Sequence, residues 1–384
     1  MNHADLIVLG GGCAGLSLAS HLALRWKQKR VVVFEARKNY FEDRTWCGWR
    51  IAPHLFDDCA SAEWNRWRLV TPLGDFERRS EAYPYQRIGS GEFYRKACEL
   101  IRENDADSIR MGVDVEDVAE RDDAVTVCLS NGEAWDAPYV VDTRPQTRTL
   151  GWPWMWQNFV GYVVRIEQGQ PFGDVPTLMD FQTAGAGCIQ FMYIIPLRDN
   201  SYLCEWTRFS LVPDEQAEIE SELMQWIKTR IPGSWTLAGR EAGSLPMAPP
   251  LKNSGGPRVI PGGTRGGSMR AATGYAFHSI QRWAEACAMS IEAGNAPIAP
   301  ARNRVLEAMD RLFLSVLRER PAEAAALFGR LFYKCDPDPL IRFLAGVPRV
   351  GDFWPVVNAL PKRRFLRALP ALSRADFSSN GALS

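Results

Sequence analysis

The chain has no net charge to offer: 45 lysines and arginines balance 45 aspartates and glutamates. With no basic excess there is nothing to hold a polyanion, which argues against a general nucleic-acid partner. It also lacks any uninterrupted apolar run of the roughly 18 residues that a spanning helix needs. Asp5 and the glycines after Leu9 break the one apolar stretch near the start, so no signal peptide is expected. The nine cysteines include no C-x-x-C pair, which leaves out a zinc site or a disulfide scaffold and fits reduced thiols in a cytoplasmic protein. His3, His21, His54 and His278 are too scattered to form a ligand set, so no metal is expected. No repeat or low-complexity segment occurs. What remains is an ordinary globular composition, 46% hydrophobic and 23% charged over 384 residues, with room for two intimately associated domains. Fourteen tryptophans are the exception. Trp46, Trp49, Trp64 and Trp67 cluster, as do Trp152, Trp154 and Trp156, which fits either an aromatic core or a long apolar ligand cavity.

The chain is organised around its first 35 residues. Leu6-Ile7-Val8-Leu9 is a short apolar run of the kind buried on both faces of a parallel sheet. Gly10, Gly12 and Gly15 follow at G-x-G-x-x-G spacing. The first permits a tight turn, the second lets backbone N–H groups approach a pyrophosphate, and the third lets the next helix pack on the strand. That helix, through about Leu24, turns its partial positive end to the phosphates. A second apolar run, Val31 to Phe34, ends in Glu35, a carboxylate able to accept both hydroxyls of an adenosine ribose. Strand, glycines, helix, strand and acid together indicate a dinucleotide, and the position at the start of the chain favours FAD over NAD.

Further along, Asp43-Arg44-Thr45-Trp46-Cys47-Gly48-Trp49 is expected to be a loop near the cofactor, and Ser90 to cap a helix reaching Asn104. Strands are expected at 113–115, 124–127, 139–142, 159–166, 188–195 and 201–207, with Asp199-Asn200 as a turn. A helix is expected over 215–231. A second glycine-rich segment, Gly262 to Gly267 with Thr273-Gly274-Tyr275 beyond it, needs a close backbone approach, placing Gly263, Gly266, Gly267, Thr273 and Gly274 beside the cofactor. Residues 301–345 are mostly helical, and the tail from Pro348 is aromatic and basic.

These motifs, taken in order, resemble those of the flavin-dependent lycopene cyclases of bacterial carotenoid synthesis over nearly the full chain. The resemblance rests on Gly10–Gly15, Asp43-Arg44-Thr45-Trp46, Tyr83-Pro84-Tyr85, Leu178-Met179-Asp180-Phe181 and Phe191 to Pro196. It continues with Tyr202-Leu203-Cys204-Glu205, Glu241 to Pro246, Gly262–Gly267, Thr273-Gly274-Tyr275 and Phe328–Phe332. It implies an α/β fold: a two-domain, Rossmann-type flavoprotein of the hydroxylase and glutathione-reductase kind. Residues 1–70, 89–150 and 251–300 would make the FAD-binding domain, 71–88 and 151–250 a β-rich substrate domain, and 301–384 a helical C-terminal part with a basic tail. It further implies reduced FAD, with NAD(P)H as reductant, and redox-neutral cyclisation of a polyene end group. Three departures, Arg270-Ala271-Ala272 for the usual His-Pro-Thr, Cys47-Gly48-Trp49 where relatives carry a serine or cysteine, an aromatic and a histidine, and Trp206 for a usual second acid, leave a related polyene or isoprenoid as alternative substrate. A flavin monooxygenase or halogenase is the other class of function.

Cyclisation begins when a strong acid protonates an alkene in a dry pocket, and ends when a base removes a proton from the ring. A carboxyl buried beside apolar surface keeps its proton at neutral pH. Glu205, in an otherwise apolar strand, is the leading candidate. Asp180 and Glu241 follow, each with a structural alternative in a turn or a salt bridge. Asp43 and Arg44 either contact flavin or order their loop. Oligomeric state is not legible. A hydrocarbon substrate further implies peripheral contact with the inner membrane. Lys362-Arg363-Arg364 and Arg367 supply either a docking surface or an ordinary solvated face.

Overall fold

The computed structural model describes residues 2–374 apart from 106, 183–186, 214–215 and 253–254. Glu215 and the tail beyond 374 lie outside the described residues, as do the side chains of 370–374.

A five-stranded parallel sheet carries the N-terminal motif. Its order is Val259–Pro261, Val140–Asp142, Leu6–Leu9, Val31–Glu35, Ile109–Met111. The central strand is buried throughout, as a parallel strand covered on both faces must be. Helices Cys13–Arg25, Ser90–Arg102 and Phe277–Glu292 cover one face. The other packs Ile7, Leu9, Val32 and Phe34 against Val125, Val127 and Trp135 of a small four-stranded sheet. Ile109–Met111 was not expected as a strand: three residues are too short to show a period.

The expected loop 45–49 is instead a strand. Thr45–Trp49 pairs with Tyr85–Gly89, which pairs with Ala60–Trp64. Aromatic packing overrides its mixed composition: Trp46 stacks on Phe277 at 5.4 Å, and Trp49 meets Trp67 at 5.3 Å and Tyr85 at 5.0 Å. Ser90 does not cap its helix, whose N-cap is Gly89. Its hydroxyl accepts from the Asp43 and Arg44 backbone N–H groups at 2.9 and 3.0 Å and anchors the entry to that strand.

A seven-stranded sheet forms the floor of the molecule. Its order is Trp235–Met247, Met155–Ile166, Ser201–Ser210, Ile189–Pro196, Thr177–Asp180, Arg66–Thr71, Gly74–Arg79. Residues 66–70, expected with the nucleotide domain, thus join the sheet of the substrate region. Asp199 and Asn200 turn the central hairpin with φ of 56° and 51°, the left-handed pair that suits strand twist. One face of the sheet packs Val160, Met192 and Trp206 against helix Gln216–Arg230. The C-terminal helices lie over the other: Arg304–Glu319, Ala324–Lys334, Pro337–Leu344, Phe353–Ala359 and Lys362–Arg374. The first is capped by Asn303, whose side chain accepts from the Val305 and Leu306 N–H groups. Among the described residues no helix is long and apolar enough to cross a membrane.

Candidate active site

Where these layers meet, a continuous cavity of about 930 Å³ runs from Gly12, Cys13 and Ala14 to the C-terminal helices. Its walls are mostly apolar, with Phe159, Phe191, Phe313 and Phe328 prominent. Of the clustered tryptophans, Trp46 and Trp156 line it, whereas Trp49 and Trp67 are sealed in the core.

Strand register determines which acids reach this space. Residues directly opposite in adjoining antiparallel strands share a face. Tyr193 stands opposite Glu205, Glu205 opposite Gly161, and Gly161 opposite Glu241. Tyr193, Glu205 and Glu241 all line the cavity. Gly161 makes the meeting of the two acids possible. A Cβ there would lie 3.3 Å from Glu205 Cβ and 3.3 Å from Glu241 Cγ, in the space across which the acids now face each other. Asp180 lies in the neighbouring row. It is opposite Met192, which is opposite Trp206, and both belong to the core beneath helix Gln216–Arg230. Its carboxylate accepts from Gln182 N–H at 2.9 Å, a turn contact, and it does not line the cavity.

The glutamates are hydrogen-bonded to each other. Burial, then the neighbouring Glu241 charge, push the Glu205 carboxyl well above its ordinary 4.5, although the Thr207 hydroxyl donates to its Oε1 at 3.0 Å. Burial raises Glu241 to about 7, against the opposing effects of the Thr45 hydroxyl, Arg87, Glu205 and Arg44. The pair therefore holds a proton at neutral pH. Beside it, Tyr193 is hydrogen-bonded to Tyr85 at 2.8 Å, and Tyr85 to Tyr275. Burial holds all three phenols neutral. Arg44 reaches across to the Glu241 strand, donating to the Ala242 carbonyl at 2.7 Å. Asp43 instead accepts from Arg37 and Tyr94 and orders its loop.

At the other end of the cavity the glycines separate by role. Gly10 has φ of 93°, and a Cβ on Gly15 would strike the Gly10 carbonyl oxygen at 2.0 Å, so the fold itself requires both. Gly12 has an unremarkable φ of −81°, and a Cβ there would meet nothing within 4 Å. No protein atom requires it to be glycine. It opens onto the cavity at the uncapped N-terminus of a helix with no acid in its first turn, a cradle that fits a pyrophosphate. Glu35 stands where expected but is fully engaged. It accepts from Gly11 N–H at 2.7 Å and from three N–H groups of Arg37, so a ribose hydroxyl would have to displace Arg37. Thr264, Arg265, Thr273 and Gly274 line the cavity. Gly263 abuts Ala14, and Gly266 and Gly267 lie against Pro300 and Pro250.

Sequence reasoning missed Gly161, Thr45, Thr207 and the Arg270–Asp310 pair. Arg270 Nη2 donates to Asp310 Oδ1 at 2.9 Å in a nearly sealed ion pair on the cavity wall, and its guanidinium lies 4.2 Å over the Phe343 ring. Only the alternation linking Thr207 to Glu205 was visible in sequence. The others come from strands and helices distant in the chain.

A family model described as lycopene cyclase protein matches residues 5–369. A lycopene beta-cyclase of Pseudescherichia vulneris is 29% identical over 314 residues, 77% of this chain and 76% of that protein. Among solved structures, a geranylgeranyl bacteriochlorophyll reductase-like protein of Thermoplasma acidophilum superposes with a TM-score of 0.64 at 13% identity, covering 96% of this chain and 99% of its own. The flavin-dependent brominase Bmp2 gives 0.62 at 15% identity, covering 97% and 100%. The p-nitrophenol 4-monooxygenase PnpA of Pseudomonas putida gives 0.61 at 16%, covering 95% and 99%. At such identities these structures share a fold, and it is the α/β FAD-binding flavoprotein fold expected from the sequence.

Proposed function

The chain belongs to the lycopene cyclase family and is an enzyme of carotenoid cyclisation; we propose that it acts as an intramolecular isomerase whose acid is Glu205. The observation that carries this reading is the Glu205–Glu241 pair, two carboxyls meeting across Gly161 on the wall of an apolar cavity.

In the proposed cycle, protonated Glu205 gives its proton to the terminal alkene of a linear end group, and a tertiary cation forms. The neighbouring alkene attacks, closing a six-membered ring and moving the positive charge onto it. Glu241, as carboxylate, removes a proton from that ring and restores a double bond. The proton then passes back across the hydrogen bond to Glu205. One proton enters, one leaves, and no electron is transferred. The apolar walls keep water from trapping the cation, and the faces of Tyr193, Tyr85 and Tyr275 offer it π density without a nucleophilic phenolate.

Gly12, the N–H groups of Cys13 and Ala14, and the segment Thr264 to Gly274 fit FAD, which in reduced form would supply fixed negative charge beside the cation. NAD(P)H is the proposed reductant. A flavin monooxygenase or halogenase on the same fold is the competing reading, since such enzymes are among the structural neighbours. Incubation with lycopene and a chemical reductant without oxygen separates the two. A cyclase gives ring-bearing products of unchanged mass, whereas an oxygenase gives none.

A further inference from the structure

Resting on the polyene reading above, we propose that the surface formed by residues 350–369 seats the protein on an anionic lipid bilayer and that the cavity opens onto it. Val357, Leu366 and Leu369 line the cavity and are also exposed at 43%, 62% and 45%, which marks where the cavity reaches the surface. Around this opening the chain displays Val350 at 91% exposure and Trp354 at 71%. Apolar side chains grouped at a cavity mouth define a contact surface, and Trp is suited to the headgroup level of a membrane.

The charges identify the occupant. Arg342 is bound to Asp352 and Arg364 to Glu323, so neither is available. Lys362, Arg363 and Arg367 are exposed, and Lys362 Nζ lies 5.8 Å over the Trp354 ring. Lys362, Arg363 and Arg364 fill the first turn of helix Lys362–Arg374, which contains no acid. Cations there oppose the positive end of the helix dipole. A helix built only for its own stability would carry Asp or Glu in these positions. The unfavourable placement has a purpose if the helix end meets negative charge outside the protein, as it does at anionic headgroups. Among the described residues Lys362, Arg363 and Arg367 have no ion-pair partner, and such cations beside exposed apolar side chains match an anionic bilayer better than a second copy of this neutral chain. A hydrocarbon too apolar for water could then enter the cavity between Leu366 and Val357 without crossing solvent.

The test uses the full chain and co-sedimentation with phosphatidylcholine vesicles, with and without an equal part of phosphatidylglycerol. Wild type binds the anionic vesicles more tightly. Arg363→Gln/Arg367→Gln should weaken that binding roughly 30-fold, at about one tenth to one fifth per cation, and flatten its salt dependence. Val350→Ser/Trp354→Ser should weaken binding to both vesicle types. Turnover of detergent-solubilised lycopene should persist in both variants, and its absence in wild type would instead count against the polyene reading. Vesicle binding unchanged in both double variants overturns the proposal. So does a wild-type dimer that either variant converts to monomer while vesicle binding stays the same, since this face would then be a self-interface.

Discussion

Glu205→Gln should both inactivate the enzyme and stabilise it. Glutamine keeps the size of the side chain, its acceptor for Thr207 and a donor toward Glu241, but has no proton to give. Loss of a catalytic acid lowers turnover about 100- to 10,000-fold. The stability effect follows from linkage. The folded-state pKa of Glu205 is raised, so above its ordinary 4.5 an unfolded chain releases the proton while the native protein retains it. Native stability therefore falls as pH rises from 4.5, and levels off only above the folded pKa. At about 1.4 kcal/mol per pH unit, the roughly 2.5 units up to pH 7 amount to about 3 kcal/mol, an upper bound that glutamine does not incur. Urea unfolding of both proteins across pH 4.5–8 measures this. The variant should be the more stable near pH 7, and the difference should vanish toward pH 4.5. A variant less stable by the same amount at every pH would mean that Glu205 is ionised in the native protein, and the acid assignment would fail. Near-normal turnover would transfer the acid role to Glu241.

Gly161→Ala puts a methyl group 3.1 Å from Leu203 Cδ1 and against both glutamates, an overpacking worth about 1–3 kcal/mol. Pushed apart, the acids repel less, Glu205 loses its proton more easily, and the alkaline limb of the kcat/KM profile should move to lower pH; an unmoved limb counts against the pairing. Gly12→Val should fold with unchanged stability, because nothing stands within 4 Å of the new Cβ, yet purify without flavin absorbance. Retention of full flavin would show that the pyrophosphate lies elsewhere.

The parallel-sheet core was legible in sequence because a strand buried on both faces is apolar at every position and its glycine turn has a fixed spacing, as in Leu6 to Gly15. Strand Thr45–Trp49 was not, because what makes it a strand is aromatic contact with Phe277, Trp67 and Tyr85, all distant in the chain. Strand Trp235–Met247 was missed for a different reason. Its face toward the cavity carries Glu241 and glycines where a hydrophobic pattern would show a core. Sequence put Glu205 ahead of Asp180 and Glu241 but could not tell which of those two stands beside it, and the register separates them. Because side chains alternate, Asp180, in the row next to that of Glu205, faces the opposite side of the sheet.

The same register explains why the site costs stability and still persists. Bringing Glu205 and Glu241 together needs two strands separated from each other by Met155–Ile166, a glycine at the one position between them, and burial that neither carboxyl would choose alone. Each of these features is unfavourable for a sheet by itself: Gly161 weakens a strand interior, and two adjoining acids repel. On the proposed function they cohere as a device for keeping one proton in an apolar cavity at neutral pH. An acid exposed to water would ionise near 4.5 and hold no proton for an alkene at neutral pH, so repulsion and burial here keep a proton available rather than being defects of packing. The Thr45 and Thr207 hydroxyls limit the effect, each donating toward one carboxyl and keeping the pair from being wholly neutral. That leaves Glu241 close to ionisation at neutral pH, as the proposed cycle requires of the group that removes a proton from the ring.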